Sequence, residues 1–170
     1  MTAGAALIAA SAFHYLGRLD SGDLAPAFTL PLSSNGEPVS LVDYQDKLVL
    51  LHFWATWCEP CREEFPSLEQ LNLNYQDKGL VILSVSEDTG INAGSLVESF
   101  RKVIPFSFPA LLDTKAEVAN LYQAYGVPET IIIERGGKIA GRLTGAQNWN
   151  SSEAKQLIEE LLKLPSQPSN

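Results

Sequence analysis

Cysteine is scarce in this sequence: 170 residues hold two, Cys58 and Cys61. A framework of structural disulfides is therefore excluded, and the core must hold the fold without it. Histidine is equally rare, with His14 and His52, and neither stands at metal-site spacing from the cysteines. A structural zinc site needs four ligands, so the pair read as half a zinc site finds no second half. Positive charge is in deficit, with 12 Lys and Arg against 20 Asp and Glu, a net charge of −8. That balance excludes the basic stripe of a nucleic-acid binder and charge-driven docking on anionic lipid. There is no internal repeat. The apolar run Ala3–Phe13 is shorter than the roughly 20 residues a spanning helix needs.

That run still carries information. Met1 to Gly17 contains no Lys, Arg, Asp or Glu, and Ala3–Phe13 has the length of a signal-peptide apolar region, with small residues of cleavage-site type. No Lys or Arg precedes it, as a signal peptide would have. Residues 1–20 are expected to be a signal peptide or a truncated membrane anchor; a packed helix or a flexible leader is the other reading. Residues 21–164 are expected to form one domain, long enough to bury a real core. Residues 165–170 are expected to be a loose tail.

Within the domain, short strands are predicted at Ala27–Leu30 and Val39–Leu41 around a turn at Ser34–Glu37. Leu48–Trp54 is a continuous apolar run of strand length, as expected of a central strand covered on both faces. A helix is predicted from Cys58 to about Gln76, stopped by Gly79, followed by a second buried strand at Leu80–Val85. Leu96, Val97, Phe100, Val103 and Ile104 recur at helical spacing before Pro105. Thr114 and Glu117 read as a capping box opening a helix whose apolar face is Val118, Leu121, Tyr122 and Tyr125. A strand at Thr130–Ile133, a turn at Arg135–Lys138 and an antiparallel return at Ile139–Leu143 follow. Ala154, Leu157, Ile158, Leu161 and Leu162 mark a final amphipathic helix. The order predicts an α/β domain: a mixed central sheet with helices on both faces and an N-terminal β-hairpin extension.

The cysteines fall where the first central strand passes into its helix. A helix N-terminus presents free N–H groups and the positive end of the dipole, which stabilise a thiolate. Cys58 is thus the expected nucleophile. Cys61, three residues on, lies on the same helical face and can resolve a mixed disulfide at Cys58. Pro60 is tolerated in the first turn, where an N–H would lack a partner anyway. A CxxC joining a buried strand to a helix in a βαβ unit is a specific redox signal. Glu64 sits three residues beyond Cys61 and four before Leu68, near the inward face of the helix. Burial there would raise its pKa and suit it to exchange a proton with Cys61; the alternative is a solvated acid, as expected for Glu63. Trp57 is expected to shield the thiols and Trp54 to lie in the core. Glu59, Glu63 and Glu64 surround the thiols with only Arg62 to offset them. Negative charge raises a thiol pKa, which favours the disulfide form and makes the reduced protein an electron donor.

The stretch Phe53–Pro66 (FWATWCEPCREEFP) resembles the TlpA/ResA-type branch of the thioredoxin superfamily, and the resemblance extends more weakly from about Ala25 to Leu162. It implies a thioredoxin-like fold and a protein-disulfide reductase without a cofactor. It also implies an active-site acid at Glu64, an extracytoplasmic location, an N-terminal membrane tether and an upstream membrane thiol reductant. The substrate it implies is a disulfide-bearing protein, with apocytochrome c before haem attachment as the leading example. Pro128-Glu129-Thr130 is similar to the PET of the CcmG-type cytochrome-maturation proteins. By that similarity Val127–Pro128 is a cis bond opposite the CxxC, where Val127 and Pro128, with Trp57, Glu59 and Pro60, would meet a substrate strand. A trans proline opening an edge strand is the alternative. Two positions depart from thioredoxins: His52 stands where a buried Asp is common, and Gln123 replaces a usual Gly. His52 could relay a proton to Cys61 or be a structural core group. Nothing in the sequence points to an obligate dimer. Two other functions fit the fold. A copper or zinc chaperone of the Sco type would want a histidine after Cys61, and none follows. A thiol peroxidase would want a PxxxTxxC register, which Thr56 and Cys58 do not meet.

Overall fold

The computed structural model describes residues 19–165; the expected leader, apart from residues 19 and 20, and the tail beyond residue 165 lie outside the described residues. The elements in chain order are β1 (Thr29–Pro31), β2 (Pro38–Ser40), β3 (Leu48–Trp54), α1 (Glu59–Tyr75), β4 (Leu80–Ser86), α2 (Ala93–Val103), β5 (Ala110–Leu112), α3 (Glu117–Leu121), β6 (Glu129–Ile133), β7 (Ile139–Thr144) and α4 (Ser152–Lys163). A five-stranded sheet runs β5-β4-β3-β6-β7. β3 pairs parallel to β4, and β4 to β5, whereas β6 pairs antiparallel to both β3 and β7. This is the mixed sheet expected of a thioredoxin-like domain, and β1 and β2 form the separate antiparallel hairpin ahead of it.

Every residue of β3 is buried, which is why its sequence is apolar throughout and not alternating. Its side chains alternate between two cores. Leu48, Leu50 and Trp54 join Phe65 and Leu68 of α1, Val97 and Phe100 of α2, and Ile158 of α4. Val49, Leu51 and Phe53 join Phe28, Leu30, Leu41 and, near α3, Val118, Ala119 and Tyr122. Each fully buried Leu, Val or Phe contributes about 1.5–3 kcal/mol relative to exposure, so this one strand anchors both layers. His52 falls on the α1 side of the sheet, the single polar residue in the strand.

Several local expectations are corrected. β5 was not foreseen; three residues are too few to show a period. The capping box at Thr114 and Glu117 is not formed. Asp113 caps α3 instead, its carboxylate accepting from the backbone N–H of Glu117 at 2.9 Å and of Ala119 at 2.8 Å. An ionised carboxylate there offsets the dipole as well as the free donors, which a threonine hydroxyl cannot do. α3 is also shorter than predicted, so Leu121 and Tyr125 are exposed while Val118 and Tyr122 are buried. In α2 the buried face is Ala93, Val97 and Phe100, and Leu96 and Val103 face solvent.

Candidate active site

The turn between β3 and α1 is fixed before the cysteines are reached. Asp88, just past β4, accepts from the Thr56 backbone N–H at 2.9 Å and from its hydroxyl at 2.6 Å, and a third bond from Ser86 Oγ holds the carboxylate. The Cys58 N–H then donates to Ala55 O at 3.2 Å. Cys58 is the N-cap of α1, and its sulfur accepts from the Cys61 N–H at 3.3 Å. The two cysteines form a disulfide with their Cα atoms 5.3 Å apart. Cys58 keeps 5 % of its surface exposed and Cys61 none, so only the first sulfur can be reached from outside. Pro60 occupies the first turn, as its missing N–H allows.

Around the pair the surface is mixed. Trp57, next to Cys58 in the chain, stays exposed. The Glu59 carboxylate is exposed and lies 3.8 Å from Arg62, whose guanidinium also reaches over the Phe100 ring. Glu63 is exposed. Two of the three expected negative charges are therefore solvated, and one of those is paired.

Val127–Pro128 is cis. The β3–β6 register sets Phe53 against Glu129, which brings Pro128 to the strand end that leads into the cysteine turn. Pro128 is buried, its carbonyl accepts from Gly145 N at 2.9 Å, and Val127 packs on the apolar cluster that contains both cysteines.

Glu64 is the buried acid of the site, with no side-chain exposure. Its Oε1 accepts from the Trp149 indole N–H at 2.6 Å and from the Gln147 backbone N–H at 3.1 Å. Burial pushes its pKa up to about 7, and the two N–H donors, which favour the anion, pull against that rise. Its Oε2 lies 3.5 Å from His52 Nε2, whose ring makes its other polar contact from Nδ1 to Thr130 Oγ1 at 2.9 Å. Burial drives the His52 pKa down to about 3, so the ring is neutral at ordinary pH.

Trp149, Gln147 and Asp88 were not foreseen as site residues. The first two reach Glu64 across more than 80 positions of sequence, a separation no local pattern reports. A lone tryptophan in the polar run Gln147–Asn150 is the one signal that could have drawn attention. Among the described residues, no group of three or more His, Cys, Asp or Glu side chains is placed to share a metal ion.

Residues 21–142 match the AhpC/TSA family. The chain is 30% identical over 146 residues to thiol-disulfide oxidoreductase ResA of Bacillus thuringiensis subsp. konkukian, covering 86% of this chain and 79% of the relative. It is 36% identical over 137 residues to thioredoxin-like protein YneN of Bacillus subtilis, covering 81% and 79%. Among solved structures it is similar to a thiol:disulfide interchange protein DsbE from Chlorobium tepidum, with a TM-score of 0.77, 33% identity, and 85% and 99% of the two chains covered.

Proposed function

We propose that this chain, which belongs to the AhpC/TSA family and is a thioredoxin-type thiol–disulfide oxidoreductase, works as a reductase of protein disulfides outside the cytoplasm. One observation carries the resolving step. The inner cysteine, Cys61, is wholly buried one helical turn from a carboxyl group whose pKa lies near 7. Such a group can take the Cys61 proton at neutral pH, the step a resolving thiol needs.

In the proposed cycle the Cys58 thiolate, favoured by the N-terminus of α1, attacks a substrate disulfide. One substrate sulfur leaves with the bonding electron pair and takes a proton. Glu64 accepts the proton of Cys61, and the Cys61 thiolate attacks the Cys58 sulfur of the mixed disulfide. The Cys58–Cys61 bond forms, the Cys58–substrate bond breaks, and the second substrate sulfur leaves as a thiolate. The substrate disulfide is reduced and the enzyme dithiol oxidised. A thiol reductant upstream must then restore the pair. Trp57, Glu59, Pro60, Val127 and Pro128 are proposed to receive the substrate strand, backbone to backbone, beside the cis peptide.

An extracytoplasmic location, a tether within the apolar N-terminal run Ala3–Phe13 and a cysteine-bearing apocytochrome c as substrate extend the proposal. They rest on that run and on the similarity to ResA and DsbE. No helix among the described residues is long and apolar enough to cross a membrane.

The test is to incubate reduced Cys61→Ser protein with a disulfide-bonded CxxCH peptide. The expected product is a stable mixed disulfide at Cys58, with full peptide reduction by the unaltered dithiol protein. No exchange by the dithiol protein would sink the reductase. Peroxide turnover surviving in Cys61→Ser would favour a peroxidase. Tight copper or zinc binding by the reduced protein, lost in Cys58→Ser, would favour a metal chaperone.

A further inference from the structure

His52 and Glu64 leave one polar atom each without a hydrogen-bond partner, Nε2 and Oε2, in side chains with no exposure. These two atoms face each other at 3.5 Å. Two unpartnered lone pairs would repel at that distance in a dry site, so a proton must lie between them. The neutral ring carries one N–H, and its place is set by the contact at the other nitrogen.

Thr130 makes the choice. It is 1% exposed, lies opposite His52 in the β3–β6 register, and its hydroxyl meets His52 Nδ1 at 2.9 Å. If Nδ1 carried the hydrogen, the Thr130 hydroxyl would accept it and its own buried hydrogen would need another acceptor. If Thr130 donates to Nδ1, the hydrogen of the ring stands on Nε2 and points at Oε2. Every donor then has an acceptor: Thr130 to His52, His52 to Oε2, and Trp149 and Gln147 to Oε1. Complete satisfaction is the rule for buried polar networks.

We propose that His52 is a positioning residue for Glu64: held by Thr130 as the Nε2–H tautomer, it donates to Oε2 and supports the carboxylate that receives the Cys61 proton. This rests on Glu64 having the role proposed above. The groups around the couple leave it little other help. Around Glu64 and His52 stand Thr130 from β6, Trp149 and Gln147 from the loop after β7, and from α1 the Phe65 ring, 5.9 Å from that of His52. Among the described residues no Lys or Arg lies within ion-pair distance of Glu64. Glu129, next to Thr130, alternates to the opposite face of the sheet, where it pairs with Arg142. His52 thus replaces the cation that would otherwise offset the desolvation of Glu64.

Two measurements test this. Long-range 1H–15N correlation spectra of the oxidised protein, with His14→Gln to leave one imidazole, read the tautomer directly. The expected result is Nε2–H at about pH 9, where Glu64 is ionised; an Nδ1–H or a doubly protonated ring there overturns the proposal. This arm needs no turnover, so it stands apart from the reductase reading. Second, the carboxyl 13C titration of Glu64 is followed in His52→Leu and Thr130→Val. The expected midpoint moves alkaline by about one unit in the first and by less in the second. The acid limb of peptide reduction, set by ionisation of the accepting carboxyl, should move with it. An unmoved midpoint or an acid shift overturns the proposal, the acid shift because it means that Glu64 donates to His52.

Discussion

Two glutamates in this molecule have pKa values pushed up to about 7, and they reach that value differently. Glu64, on the α1 side of the sheet, is raised by burial alone and restrained by two N–H donors. Glu87, at the end of β4, is raised by burial and then further by the charges of Asp113 and Glu129. Those acids serve structure: Asp113 caps α3, and Glu129 is paired with Arg142. Glu87 is thus strained by its neighbours, whereas Glu64 is held by them. A shifted pKa alone would name both as site residues; what separates them is the company each keeps. Only Glu64 stands one helical turn from a buried cysteine.

The comparison can be broken most sharply by activity. Glu64→Gln should slow peptide reduction at pH 7 by about 100-fold, the scale of general acid–base catalysis. Glu87→Gln should leave the rate within about threefold. Equal losses would put both acids, or neither, in the cycle.

Stability gives the next effect. Because the folded-state pKa of Glu64 is raised, the folded protein holds a proton that the unfolded chain releases between about pH 4.5 and 7. Stability is therefore lost as pH climbs through that window and is level above it. Glu64→Gln, neutral at every pH, should raise the unfolding free energy of the oxidised protein at pH 8.5 by up to about 3 kcal/mol and change little at pH 4. Paired denaturant titrations check this; a gain at pH 4 equal to that at pH 8.5 would show that ionisation is not the cause.

Trp149→Phe removes the 2.6 Å indole bond from Oε1. It should lift the Glu64 midpoint by about one unit and carry the pH–rate profile with it, leaving Glu87 unmoved. The smallest effect separates charge from burial. Raising salt from about 0.05 to 0.5 M should lower the Glu87 midpoint by a few tenths of a unit, since like-charge repulsion is screened, and leave that of Glu64 in place. Carboxyl 13C titrations read both in one sample.

How much of this was legible in the sequence follows the range of the interactions. β3, the cysteine turn, Pro60 and the inward aspect of Glu64 are encoded within a few residues, and the structure places them as read. The cis bond at Pro128 came from resemblance, since no local energetics distinguishes it from trans. Asp88, Trp149 and Gln147 were missed because they act across the fold on Thr56 and Glu64. Asp113 was passed over for Thr114 because the two are neighbours and only the backbone path decides which of them caps. His52 was visible as a departure, but its partners on β6 and α1 were not.

The central claim is that Cys58 and Cys61 form a reducing pair. Its most direct test is the reduction potential of that disulfide against a dithiothreitol or glutathione series. The prediction is a value near or below about −270 mV, the level of thioredoxin. A value near about −120 mV, that of a strong oxidant, would contradict it.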